Sequence, residues 1–243
     1  MEKILKMMFW LLGFGLLIVV IILPSQVKQT LFMVEQLPLA GEVIVIDPGH
    51  GGQDGGAVGS DPEKTEEKTI TLAVAEMVRN YLEQAGAIVY LTRETDTDLA
   101  DDQMRGFSNR KSQDIRRRLQ FIHEKNVDFF ISIHLNSLPS KRWRGAQTFF
   151  YPRFQQNKQL ATTIQDELIL NMENTDRVPL QLDHIYLLKH AKVPGALVEI
   201  GFLSNEEERE LLKQTKYQQQ LAASIYKGML RYVEDPLLET EDE

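Results

Sequence analysis

Cysteine is absent from all 243 residues. Disulfide staples, thiol nucleophiles and thiolate zinc motifs are excluded with it, which leaves imidazole and carboxylate as the side chains able to hold a catalytic metal. Histidine is nearly as scarce: the five are His50, His123, His134, His184 and His190. Positive charge is in deficit too, with 27 Lys and Arg against 35 Asp and Glu and a net charge of -8. A nucleic-acid surface needs a basic stripe, so no nucleic-acid partner is expected. No internal repeat or low-complexity tract interrupts the chain. With 43% hydrophobic residues, the length suits one core, and one domain of roughly 190 to 200 residues is the natural partition.

What is present is concentrated at strand ends. The apolar run Val43-Ile44-Val45-Ile46 leads into Asp47-Pro48-Gly49-His50-Gly51-Gly52. An imidazole thus sits where a buried strand turns into a glycine-rich loop, the usual place for a ligand site in an α/β sheet. The arrangement recurs where Phe129-Phe130-Ile131-Ser132-Ile133 runs into His134-Leu135-Asn136. A third run, Ala196-Leu197-Val198, ends on Glu199 before Ile200-Gly201. Pro48 stiffens the backbone and the glycines let it approach whatever His50 binds. Two imidazoles and nearby acids outline a metal site. Catalytic zinc takes three protein ligands, such as two His and one Glu, and keeps a fourth position open.

The third ligand is expected in the acidic cluster at residues 63–67, which opens a helix over residues 69–85. Its apolar positions Ile70, Val74, Met77, Val78, Tyr81 and Leu82 have helical spacing. Acids in a first turn also serve the helix dipole, and spacing alone does not separate Glu66 from Glu67. Further strands are predicted over residues 43–47, 88–92, 128–133, 147–151 and 197–200. Helices are predicted over 114–125, 158–172, 205–214 and 217–234, with Ser204 and Glu207 at capping-box spacing. The alternation predicts an α/β single domain: a mixed, mostly parallel sheet with helices on both faces. Residues 95–113 read as a polar rim or partner-binding loop. The glycines of residues 49–59 do not make a phosphate cradle, since the Lys-Ser/Thr ending is missing.

Residues 7–23 carry no charged or polar side chain, and Lys3 and Lys6 precede them. The stretch is slightly short of a ~30 Å hydrocarbon core. The poor cleavage site around Leu23-Pro24-Ser25 favours an uncleaved membrane anchor over a signal peptide, with the domain outside the membrane in either case. The chain is accordingly divided into an anchor or signal helix (1–25), a connector (26–40), a catalytic domain (41–235) and an acidic tail (236–243).

These segments resemble the zinc-dependent N-acetylmuramoyl-L-alanine amidases of bacterial cell walls, amidase type 3. The matching stretches are Ile46-Asp47-Pro48-Gly49-His50-Gly51-Gly52, Glu67-Lys68 followed by Leu72, Leu91-Thr92-Arg93, Ser132-Ile133-His134-Leu135-Asn136, and Val198-Glu199-Ile200-Gly201-Phe202-Leu203-Ser204-Asn205. They cover nearly everything from Glu42 to Val233 in the family's order. The resemblance implies one zinc ion per chain on His50, Glu67 and His134, with Glu199 as the catalytic acid. Arg93 and Arg118 match family positions and are candidate substrate contacts, although a salt bridge to Asp47 or Asp96 is an equally good use for either. Asn136 is a candidate for steering substrate or supporting His134. Residues 96–112, 143–151 and 183–188 are similar to the germination-specific subgroup that trims spore-cortex peptidoglycan. That subgroup implies work in the space between the forespore membranes, an accessory lipoprotein partner, and a peptidoglycan deacetylase acting next to form muramic δ-lactam.

The chemistry is consistent with the residues. A stable amide needs a nucleophile, a polarised carbonyl and a proton for the leaving nitrogen. A metal with an open position supplies the first two and Glu199 suits the third. Burial raises the pKa of such a carboxyl while a metal lowers it, so its sign is open in the sequence. A deacetylase or carboxypeptidase acting on the wall could use the same site. A non-catalytic wall-binding module would have no use for Glu199.

Overall fold

Three apolar runs become the parallel centre of one sheet. β1 (Val43–Pro48), β3 (Phe129–Asn136) and β6 (Gly195–Phe202) lie side by side, with β2 (Ile88–Leu91) outside β1. The strand order is β2-β1-β3-β6-β4-β5, where β4 is Gln147–Phe150 and β5 is Leu180–Gln181. Only the β4–β6 pairing is antiparallel. The computed structural model describes residues 2–3, 5–13 and 37–235.

The pleat of β1 sorts its side chains between two cores. Ile44 and Ile46 pack with Val74 and Val78 of α1 (Glu67–Gln84), Leu160 and Ile164 of α3 (Gln155–Met172), and Leu221 and Ile225 of α6 (Thr215–Glu234). Val45 points to the other face, against Leu119 and Ile122 of α2 (Phe107–Glu124) and Leu187 and Leu188 of α4 (Tyr186–His190). A strand buried on both faces reads as a continuous apolar run, which is how β1 appears in the sequence. The expected mostly parallel sheet with helices on both faces is therefore the observed fold. Phe149 and Phe150 both pack in the core, one ring in each cluster.

Three local expectations change. Helix α2 begins at Phe107, seven residues before the expected start, so it absorbs the end of the polar insert. Its first turns carry little apolar periodicity and are tied down from outside. Arg110 Nε donates to Asp98 Oδ2 at 2.7 Å, and Leu99 N–H donates to Asp114 Oδ1 at 2.7 Å. The N-cap of α5 (Glu206–Leu212) is Asn205 instead of Ser204, its side chain accepting from Glu208 N–H at 2.9 Å. Glu208 is drawn inward to accept from the N–H groups of Phe202 and Gly145 at 2.8 and 2.9 Å. The sequence also conceals β5 and α4, both too short for periodicity to register.

The proposed anchor and connector lie mostly outside the described residues, and the acidic tail wholly so. Residues 5–13 are helical with the side chains exposed where described. Among the described residues no helix is long and apolar enough to cross a membrane.

Candidate metal centre and active site

The carboxyl ends of β1 and β3, together with the first turn of α1, place His50, His134 and Glu67 around one point. Their ligand atoms all lie within 4.8 Å of one another. Beyond β1 the chain turns sharply, and His50 itself adopts a left-handed backbone with φ of 63°. Such a conformation is uncommon for a residue with a Cβ and typical of strained functional loops. Gly49 is required here because a side chain would run into the His134 ring, and Gly56 because one would meet Glu67 and His50.

Glu67 is the hub. Its Oε1 lies 3.2 Å from His50 Nε2 and 2.9 Å from His134 Nδ1, and accepts the Leu135 N–H at 2.9 Å. Its Oε2 accepts the Ala57 N–H at 2.7 Å. Glu66, by contrast, is half-exposed and pairs with Lys68 at 3.4 Å. The geometry thus separates two neighbours that spacing does not, by turning one into the pocket and the other to solvent. Burial opposes ionisation of Glu67, but hydrogen bonds from both histidines hold its carboxyl far below the usual range. Burial likewise opposes a charged His50, yet Asp54 and Glu67 raise it to about 9.

These residues fit a metal ion. Two ring nitrogens converge on one carboxylate oxygen, an arrangement held by protons here and one whose lone pairs a cation would bind in their place. The other ring nitrogen of His50, Nδ1, meets Asp54 Oδ2 at 2.8 Å. That outer hydrogen bond fixes the tautomer and leaves Nε2 as the donor toward the centre, the common arrangement behind metal-bound histidine. The rings of His50 and His134 cross at 80° with centroids 4.9 Å apart, so both can aim at one ion without stacking.

Glu199 lies on β6 directly across from His134. The residue is half-buried, yet its Oε2 is shielded from solvent and has no hydrogen-bond partner. Burial pushes its carboxyl up to about 7, against the opposing pull of His134. Before any metal's charge is counted, the sign that the sequence leaves open is upward. An unpaired buried carboxyl is costly, and pocket carboxyls of this kind are typical proton carriers. The pairing of β3 with β6 shifts register between His134 and Asn136. Such irregularities re-aim side chains beside sites.

All of this opens onto a cavity of about 350 Å³, whose lining includes His50, His134, Glu199, Lys111, Ile115 and Tyr186. Lys111 and Asp54 escape sequence reasoning. Lys111 Nζ lies 2.9 Å from Asp54 Oδ2, the atom that also meets His50. The position of Asp54 four residues after His50 is the available signal.

Both arginines are buried, each only 3% exposed, with their donors bonded to neighbouring groups, and Arg118 makes the salt bridge to Asp47 that the sequence allows while also lining the cavity. Arg118 reaches Asp47 Oδ1 at 2.7 Å, Asp114 Oδ2 at 2.9 Å, the Pro48 carbonyl at 2.8 Å and the His50 carbonyl at 2.5 Å. Arg93 donates to the carbonyls of Pro48, Gly49, Lys68 and Thr95. Together they clamp the loop that carries His50, satisfying carbonyls that a sharp turn leaves without backbone partners. Burial works against the Asp47 carboxylate, but Arg118 and the hydroxyls of Ser132 and Thr92 hold it at about 2. Burial and Arg118 lower Arg93 to about 10, still charged at neutral pH. Asn136 ends β3 half-buried, its carbonyl accepting the Leu203 N–H at 2.9 Å. It is not among the residues lining the cavity.

Residues 44–231 match the N-acetylmuramoyl-L-alanine amidase family. The chain is 48% identical over 232 residues to the germination-specific N-acetylmuramoyl-L-alanine amidase of Bacillus subtilis, covering 96% of both. Its fold is similar to that of the CwlD amidase from Clostridioides difficile, solved in complex with the GerS lipoprotein. The TM-score is 0.77 at 37% identity, over 80% of this chain and 99% of that one. The catalytic domain of CwlV, an N-acetylmuramoyl-L-alanine amidase from Bacillus (Paenibacillus) polymyxa, gives a TM-score of 0.68 at 30% identity, over 79% and 98%. With three converging ligand residues, a shielded carboxyl beside them and a family match spanning the whole sheet, the chain belongs to the N-acetylmuramoyl-L-alanine amidases.

Proposed function

We propose that this protein hydrolyses the amide between N-acetylmuramic acid and L-alanine in the peptidoglycan of the spore cortex, the step that frees muramic acid for δ-lactam formation. The observation that carries the reading is the shielded, unpaired Oε2 of Glu199 beside the His50–Glu67–His134 group. The naming of its Bacillus subtilis relative as germination-specific supports the cortex assignment.

One zinc ion per chain is held by His50, Glu67 and His134. When bound, zinc supplies Lewis-acid polarisation of the lactyl carbonyl and lowers the pKa of its water to ~7. The protein's own residues do the rest. Asp54 orients the His50 ring, and the backbone N–H groups of Ala57 and Leu135 fix the position of the Glu67 carboxylate. Glu199 Oε2 takes the proton released by the attacking water and passes it to the departing alanine nitrogen. The half-open cavity limits solvent around that transfer. A carboxyl placed beside both the attacking water and the leaving nitrogen suits both directions of it.

In the cell, residues 1–25 serve as a membrane anchor or signal peptide, 26–40 as a connector and 236–243 as a tail, with the catalytic domain at 41–235. The enzyme works outside the cytoplasm, between the forespore membranes, upstream of a peptidoglycan deacetylase. An accessory lipoprotein is a fitting partner, since the Clostridioides difficile relative was solved with one. Mass spectrometry of cortex digested by the zinc-loaded protein tests the activity: stem peptides with a free L-alanine amine are expected. Loss of acetyl groups or of a terminal amino acid instead would assign a different hydrolase. A deletion strain should make cortex without muramic δ-lactam, and normal lactam content would overturn the cortex role.

A further inference from the structure

The cavity at the metal centre does not end there. A second depression of about 430 Å³ shares Lys111, Ile115 and Tyr186 with it and continues outward past Phe107 and Arg116. The two form one groove, with α2 on one side and Tyr186, at the start of α4, on the other. Its chemistry is unlike the rest of the molecule. The protein carries a net charge of -8, yet no acidic residue lines the outer depression, whereas Lys111 and Arg116 both do. Arg116 is exposed and makes no ion pair among the described residues. Lys111 spends one direction on Asp54 and keeps its side chain 40% exposed. Phe107 is 55% exposed and Tyr186 39%, and the Tyr186 ring is braced by His190 at a centroid distance of 4.4 Å. Large exposed aromatics beside two cations, one of them unpaired, mark a surface that expects a partly apolar anion.

We infer that this groove holds the leaving-group side of the substrate, with Lys111 and Arg116 receiving the free carboxylate of the second residue of the stem peptide. The inference rests on the amidase reading given above. Two arms run from the scissile amide: a glycan strand, neutral along its length, and a peptide whose γ-linked second residue leaves an α-carboxylate free. Charge complementarity assigns the cationic arm of the groove to the peptide. Ile115 and the aromatic edges take its aliphatic portions. Lys111 is a positioning residue in addition, because the Asp54 oxygen it meets also orients His50.

The test compares two muramoyl peptides that differ only in whether the second residue carries a free carboxylate or its amide. For the zinc-loaded full chain, the free acid should be favoured about tenfold in kcat/KM, the usual worth of a charge-assisted contact. Arg116→Gln should reduce that preference to about twofold or less. Lys111→Met should reduce it as well and weaken zinc retention. Equal handling of acid and amide by the wild type, or a preference undiminished in Arg116→Gln, overturns the assignment. If the zinc-loaded protein cleaves neither substrate, the activity itself is refuted and the groove is read by binding. The dipeptide L-alanyl-γ-D-glutamate should then bind Arg116→Gln about tenfold more weakly than wild type, and equal affinity overturns the groove.

Discussion

The cluster of His50, Glu67, His134 and Glu199 and the adjoining network built on Asp47, Arg93 and Arg118, which reaches the same cavity, use the same kinds of side chain in opposite ways. In the network, charges are closed. Asp47 meets Arg118 and the hydroxyls of Thr92 and Ser132, and the arginines spend their donors on backbone carbonyls. In the cluster, three ligand atoms converge on one point, and Glu199 Oε2 has no hydrogen-bond partner. A buried polar network is costly only where it is incomplete. The network therefore holds the fold, while the cluster stores the unsatisfied electrostatics that a metal and a substrate would complete. Burial alone does not mark a functional charge.

The sharpest way to separate the two is Glu199→Gln, which should lower hydrolysis by about two to four orders of magnitude while the fold and zinc content stay intact. Near-normal turnover on a muramoyl peptide would remove Glu199 from the mechanism. In the network, Arg118→Met should leave Asp47 and Asp114 buried without their cation. A loss of about 3–5 kcal/mol in urea unfolding is expected, and an unchanged midpoint would show that the clamp is dispensable. Outer support for the metal is a smaller effect. Asp54→Asn should weaken zinc binding by about 10- to 100-fold in a chelator competition with little change in melting temperature. Full affinity in that variant would deny Asp54 its orienting role, and loss of metal in Glu66→Gln but not Glu67→Gln would reverse the choice of ligand.

The smallest effect is one of pH, and the two regions should respond with opposite signs. The Asp47 carboxyl is depressed to about 2 in the fold, so its contribution is present above the unfolded value of ~3.9 and is lost as pH falls through about 2. The Glu199 carboxyl is raised to about 7. In metal-free protein its contribution is present below the unfolded value of ~4.3 and is lost as pH rises through about 7. Thermal melts of metal-free wild type and Glu199→Gln should therefore diverge between mildly acidic and neutral pH, with the variant lacking the decline. Parallel curves would mean that Glu199 has another partner.

Much of the pocket is legible in the amino-acid sequence. His50, His134 and Glu199 each follow a run of buried apolar residues, and parallel strands bring their carboxyl ends together at one edge. The early part of α2 is not legible, because residues 107–113 fold as helix only when Asp98 and Leu99 reach across to Arg110 and Asp114. Arg93 and Arg118 leave two readings open in the sequence for a related reason. A conspicuous charge beside a catalytic loop looks the same in sequence whether it faces substrate or the back of that loop.

The amino-acid sequence by itself determined the long strands and the long helices' apolar faces, the family and the chemical types at the site, since these follow from apolar periodicity and local motif. Which of Glu66 and Glu67 enters the pocket, where each arginine spends its donors, whether Glu199 stands unpaired, and how the groove passes Lys111 toward Arg116 were decided only by tertiary structure. Each depends on the direction of a side chain relative to residues far away in the chain. Burial and partnership are properties of that arrangement and are carried by no local stretch of sequence.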